Sequence, residues 1–213
     1  MVDDKFGEAF RAQLLSLFVW RRDVRRFSRN SLPEKLLERL AGIACLAPSV
    51  GLSEPWRFVE VKSTPRREAI RKCFEQCNAA ALESQSNEKS ALYARLKLAG
   101  LDDAAVSVCC LRRSGHHAQG HGLGRLTMPE TVDFSAVMAI HTFWLAARAE
   151  GIGLGWVSIL DPETVISILD VPPTWKFIGY FCLGYPIEDD DVPALERQGW
   201  ETRRAPASAI FSR

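Results

Sequence analysis

The stretch GIGLGWVSIL, residues 151–160, decides how the chain folds. Its glycines follow a helical segment and run into apolar, β-branched residues, whereas a dinucleotide-binding fingerprint follows a strand and opens a helix. The stretch therefore reads as a strand, in which two glycines permit close approach by a ligand or by another backbone. Working outward, residues 134–150 have the period of a strong helix that Gly151 ends, and Asp161 is placed to cap a short helix after the strand. Beyond it, WKFIGYFCLGYP (175–186) reads as a long last strand. Upstream, AAVSVCCL (104–111) is a continuous apolar run of strand length, which suits a central strand. RFVEV (57–61) is a shorter strand, and residues 65–99 are helical in period with a break at ESQSNEK. SLPEKLLERLAGIACLAPS is a helix with Ser31 as cap, Pro33 and Glu34 in its first turn and Pro48 as its stop. A first helix spans 6–20. Strands separated by helices, with a helical block ahead of any sheet, make the fold class α+β.

Composition narrows the function classes. The 213 residues suit a single domain, with 47% hydrophobic and 25% charged residues as in ordinary globular enzymes. A net charge of +1 provides no overall field for nucleic acid or a membrane surface. The acidic start, Asp3-Asp4, lacks the pattern of a signal peptide, and the six cysteines lack disulfide-framework spacing, so reduced thiols and a cytoplasmic location are expected.

Against that balance, RRDVRRF (21–27) stands out. Arg21, Arg22, Arg25 and Arg26 surround one carboxylate, Asp23, and repel one another unless an anion sits among them. Arginine forks match phosphate oxygens bidentately. A phosphate site and a solvated or interfacial charge cluster both satisfy the pattern. In an extended segment Arg21, Asp23 and Arg25 share one face, so Asp23 either lies beside the ligand or is only a salt-bridge partner. Ser158, inside an apolar strand, is either a backbone-satisfied hydroxyl or part of a ligand surface. Ser49, in APSVGLSEPW, lies at a helix end where a polar ligand or a plain turn fits. His116, His117 and His121 lack metal-site spacing, Cys73 and Cys77 lack a second pair, and no metal is expected. The glycine-rich stretch 112–130 has the character of a lid. The charged tail, 187–213, has the character of an arm. No internal repeat divides the chain, so 1–213 reads as one domain.

RRDVRRF, APSVGLSEPWRF, TMPE and WLAARAEGIGLGWVSIL, in this order and spacing, resemble the aerobic dimethylbenzimidazole synthases, a branch of the flavin nitroreductase-like family. The resemblance runs from about Trp20 to about Arg203. It implies a nitroreductase-like fold with a mixed or antiparallel sheet flanked by helices, and a homodimer with exchanged arms and flavin sites at the interface. It also implies that reduced FMN is consumed as a substrate with O2 as co-substrate, and that a separate flavin reductase supplies it. The flavin is fragmented to the lower ligand base of vitamin B12, retaining the ribityl carbon bonded to the ring and releasing erythrose 4-phosphate. By the same resemblance Arg21, Arg22 and Arg25 grip the FMN phosphate, with Asp23 and Val24 against the flavin and Arg203 as a further phosphate ligand. Ser49 and Leu98 contact the cofactor, and Val157 and Ser158 line the ring. Under that resemblance Asp23 is expected to be the general base, kept ionised by a pKa that its arginine neighbours lower, and Ser158 is expected to hydrogen-bond the flavin edge where oxygen adds. Two features depart from the pattern: His141-Thr142 in the long helix, and Glu54 before Pro55-Trp56. The alternative is an NAD(P)H-dependent nitroreductase or flavin reductase with the same FMN site, in which the flavin survives.

Overall fold

The computed structural model describes residues 6–83, 100–113, 124, 126–205 and 209–212. Leu98, His116, His117, His121 and most of the lid stretch lie outside them. The elements run α1 (Glu8–Trp20), α2 (Leu36–Ala44), β1 (Trp56–Glu60), α3 (Thr64–Glu83), α4 (Gly100–Asp103), β2 (Val106–Arg113), α5 (Thr131–Ala149), β3 (Gly153–Val157), α6 (Pro162–Leu169), β4 (Trp175–Gly184) and α7 (Ala194–Arg197). The four strands form one sheet in the order β1-β2-β4-β3, and every pair is antiparallel. The apolar runs 104–111 and 175–184 are the two central strands, as their lack of alternation requires.

Alternate residues of each strand enter two cores. Val108, Cys110, Leu154, Phe181 and Leu183 face α2 and α5, which present Leu36, Leu40, Ala139, Ile140 and Phe143. Cys109, Leu111, Val157, Tyr180 and Cys182 face α3 and α6, with Ile70, Phe74 and Val165. Burying each such Leu, Ile or Val is worth about 1.5–3 kcal/mol. Both cores are therefore needed to hold β3, which has β4 on one side only.

Local signals succeed or fail for identifiable reasons. Asp161 accepts a 2.8 Å bond from the Thr164 N–H and caps α6 as expected. Ser31 does not cap α2. Lys35 adopts a left-handed φ of 59° and interrupts the chain, so the helix begins at Leu36 after a tight Pro33–Leu36 turn. Gly151, at φ +73°, ends α5, a position that favours glycine. Helix α1 forms, but none of its residues is buried: Phe10, Phe18 and Trp20 are among the exposed large apolar side chains. Among the described residues no helix is long and apolar enough to cross a membrane.

Candidate functional site

After α1 the chain turns extended and runs along the free edge of β3. The Val24 N–H donates to the Leu154 carbonyl at 3.0 Å, and the Trp156 N–H donates to Asp23 Oδ1 at 2.8 Å. The Trp144 indole donates to the Arg22 carbonyl at 3.1 Å. Phe27, 1% exposed, inserts under the sheet and pins the far end. This arrangement explains the glycines of β3. A Cβ on Gly153 would sit 2.8 Å from Val24 Cγ2, and one on Gly155 would fall well under 3.0 Å from the Val24 carbonyl oxygen. Of the two uses the sequence left open, close approach of another backbone is the one realised at Gly155.

The arginines divide their work. Arg26 turns outward to Glu188 at 3.0 Å. Arg25 Nε lies 3.6 Å from Asp23 Oδ2. Arg21 stacks over the Trp144 ring, 4.9 Å from its centroid. Arg22 donates to the Arg21 carbonyl at 2.6 Å, while its Nε is buried without a partner. Arg21, Arg22, Asp23, Arg25 and Arg203 line a cavity of about 160 Å³, with residues 193–195 as the remaining wall. Arg203, far away in sequence, thus meets the cluster. Burial lowers the pKa of Arg21 and of Arg22, and for Arg22 repulsion from Arg203 and Arg21 lowers it further. Converging cations, one carrying an orphaned buried donor, are what a phosphate dianion relieves. The donor set therefore fits a phosphate monoester, the anionic group that a flavin mononucleotide carries.

Asp23 departs from the expectation that its arginine neighbours depress its pKa. Burial raises it, and this outweighs the Trp156 N–H, Arg25 and Arg21, which all favour the ionised form. The carboxylate still shows 38% of its side-chain surface to solvent, which moderates the rise without reversing it. A raised pKa is the more useful value for a general base.

Ser158 is exposed one residue beyond β3. It lies about 7 Å along the backbone from Trp156, whose N–H holds Asp23, so Ser158 follows the end of the strand against which Asp23 is docked. The Val157 side chain is 2% exposed and sits in the core, leaving its main chain as what it can present. Ser49 is not brought to this cavity: its hydroxyl accepts from the Glu54 N–H at 3.1 Å in the turn before β1. β1 and β3 are the two edges of the sheet, about 14 Å apart at ordinary strand spacing. Trp144, which both orients the Arg22 carbonyl and supports Arg21, carried no role in the sequence reading. Its only signal was an aromatic within the quoted α5 motif. Among the described residues no cluster of His, Cys, Asp or Glu could hold a metal ion.

With this geometry in hand, comparisons place the chain. A family model described as "Nitroreductase family" matches residues 18–185. The chain is 52% identical over 199 residues to a 5,6-dimethylbenzimidazole synthase of Rhodospirillum rubrum, covering 93% of this chain and 94% of the relative. It is 43% identical to a protein of the same name from Rhodobacter capsulatus, covering 92% and 94%. Among solved structures, iodotyrosine deiodinase bound to FMN and 3-iodo-L-tyrosine superposes with a TM-score of 0.70 at 21% identity, covering 83% of this chain and 91% of that one.

Proposed function

The chain belongs to the nitroreductase family, and we infer that within it the chain is an enzyme that makes 5,6-dimethylbenzimidazole. The observation that carries this is the 52% identity, over nearly the full length of both chains, to a synthase of that product. The site accounts for how. Reduced FMN, when bound, supplies both the electrons for dioxygen and the carbon skeleton of the product. Arg21, Arg22, Arg25 and Arg203 bind its phosphate and fix the ribityl chain beside Asp23. Asp23, held by the Trp156 N–H, takes the protons released as that chain is oxidised and cleaved. Its pKa, raised by burial, moves it toward the range in which a carboxylate is a more effective base. Ser158, at the open end of β3, donates a hydrogen bond to the flavin edge.

The site is completed by a second copy. Ser49 sits at the opposite sheet edge from the arginines, so one chain presents two separated halves of a flavin surface. Phe10 and Phe18 of α1, with Phe134 and Val137 of α5, are 44%, 45%, 53% and 40% exposed and supply an apolar face for that copy. The exchanged arm falls within the tail 187–213, where Ile210 and Phe211 are exposed. Dioxygen is the co-substrate, and a separate reductase in the cytoplasm supplies the reduced flavin.

The test is aerobic incubation of wild type, Asp23→Asn and Ser158→Ala with FMN and a flavin-reducing system, with product quantified by mass. Wild type makes 5,6-dimethylbenzimidazole, and loss of the base lowers the rate about a hundredfold or more while FMN still binds. Undiminished product from Asp23→Asn removes Asp23 from the chemistry. Rapid reduction of bound FMN by NAD(P)H, with the flavin recovered whole, favours the nitroreductase alternative.

A further inference from the structure

The C-terminal arm does more than end the fold. Its acidic run, 188–191, lies against basic side chains from three elements. Glu188 pairs with Arg26 at 3.0 Å, Asp189 with Arg148 at 2.8 Å, and Asp190 with Arg197 of the arm itself at 3.1 Å. The Ile187 N–H donates to the Arg26 carbonyl at 3.2 Å. These contacts are unequal. Arg26 and Glu188 are 62% and 55% exposed, a surface pair that contributes little. Arg148, on the last turn of α5, is only 16% exposed, and its guanidinium lies 5.9 Å from the Trp20 ring centroid. It is the most buried of the three arginines that pair with the arm's acidic run.

Four residues beyond Asp189 the arm becomes the wall of the phosphate cavity at 193–195. Gly199, at φ +72°, then reverses the chain, with the Trp200 N–H bonded to the Leu195 carbonyl at 2.9 Å, and Arg203 returns to the same cavity. Arg203 stands close enough to Arg21 and Arg22 to repel both. An arm delivering a fourth cation to three others must be held against that repulsion. We infer that Arg148 is a positioning residue for the flavin phosphate: with Asp189 it latches the arm over the arginine segment and so delivers Arg203 to the anion. This rests on the flavin-phosphate reading of the cavity. Arg148 touches neither flavin nor oxygen in this role.

Riboflavin, which lacks the phosphate, separates a latch from a general structural effect. FMN and riboflavin are titrated, by quenching of flavin fluorescence, into wild type, Arg148→Met, Asp189→Asn, Arg203→Ala and the Arg148→Met/Arg203→Ala double variant. The expected result is FMN binding weaker by about tenfold in each single variant, the scale of one charge-assisted hydrogen bond. Riboflavin binding stays within about twofold of wild type, and Arg148→Met adds less than about twofold once Arg203 is gone, because both act through one contact. Asp189 is half exposed, so Asp189→Asn decides the matter if Arg148→Met does not fold. FMN affinity unchanged in Asp189→Asn and in any folded Arg148→Met, or parallel losses of FMN and riboflavin, overturns the latch. Wild type that binds riboflavin as tightly as FMN overturns the phosphate reading itself.

Discussion

Replacing Gly155 by alanine strikes the contact that places the arginine segment. The added Cβ lies well under 3.0 Å from the Val24 carbonyl oxygen, against the 3.4 Å or more of ordinary contact. Because the obstacle is backbone, the segment must move about 1 Å away from β3. The Val24 N–H bond of 3.0 Å and the Trp156 N–H bond to Asp23 of 2.8 Å then stretch to about 4 Å and are lost. A backbone bond contributes about 1 kcal/mol and one to a carboxylate about 1.5–3 kcal/mol. The stiffer unfolded chain of the alanine variant offsets about 0.4–1 kcal/mol, leaving a net loss of about 1.5–3.5 kcal/mol. For a chain of this size that lowers the melting temperature by roughly 3–14 °C. Flavin titration reports the second consequence: with Asp23 and its neighbours displaced, FMN binds at least about tenfold more weakly. Gly42→Ala, on an exposed turn of α2 where a Cβ meets nothing within 4 Å, is the control and should be neutral or stabilising. A Gly155→Ala protein that melts with wild type and binds FMN normally would refute the reasoning.

Four further outcomes follow from the structure. Asp23→Asn should leave the flavin-free protein at least as stable as wild type at neutral pH. A carboxyl whose folded pKa is raised above 3.8 contributes stability below that pH and loses it as the pH rises through the folded pKa, and thermal melts across pH measure this. For the same reason the acid limb of the pH–rate profile should lie above 3.8. Asp133 has the opposite sign. Burial pushes it up, but its bonds to Lys176 at 2.6 Å and Arg112 at 2.7 Å together hold it lower. Asp133→Asn should therefore cost about 1–2 kcal/mol at neutral pH, a deficit seen in melts above pH 3.8 that shrinks as the pH falls below it. Trp144→Phe keeps a ring under Arg21 but removes the 3.1 Å bond to the Arg22 carbonyl, and FMN binding should weaken by a few fold.

Much of the fold was legible because it depends on local chemistry. Continuous apolar runs marked the central strands, and Asp161 marked a helix start that its own side chain makes. Ser31 misled because its pattern was right while the chain broke at Lys35, where backbone conformation overrode a usable cap. The extended arginine segment with Asp23 was also readable, since charge crowding is written in adjacent residues. The direction of the Asp23 pKa was not. Neighbouring arginines appear in the sequence, whereas the desolvation that outweighs them arises only when the segment docks on β3. The glycines at 153 and 155 showed that something approaches closely but could not say that it was Val24. Arg203 was named from resemblance alone, because the turn at Gly199 and the anchor at Arg148 that bring it to the cavity are spread along the chain.

The most direct measurement uses FMN carrying heavy carbon at the ribityl carbon bonded to the ring. It is reduced in the absence of oxygen, bound to the protein, and then exposed to oxygen. The expected product is 5,6-dimethylbenzimidazole bearing the label, formed as labelled FMN disappears. Labelled FMN recovered whole, from protein that bound it and met oxygen, would contradict the claim that this chain consumes its flavin.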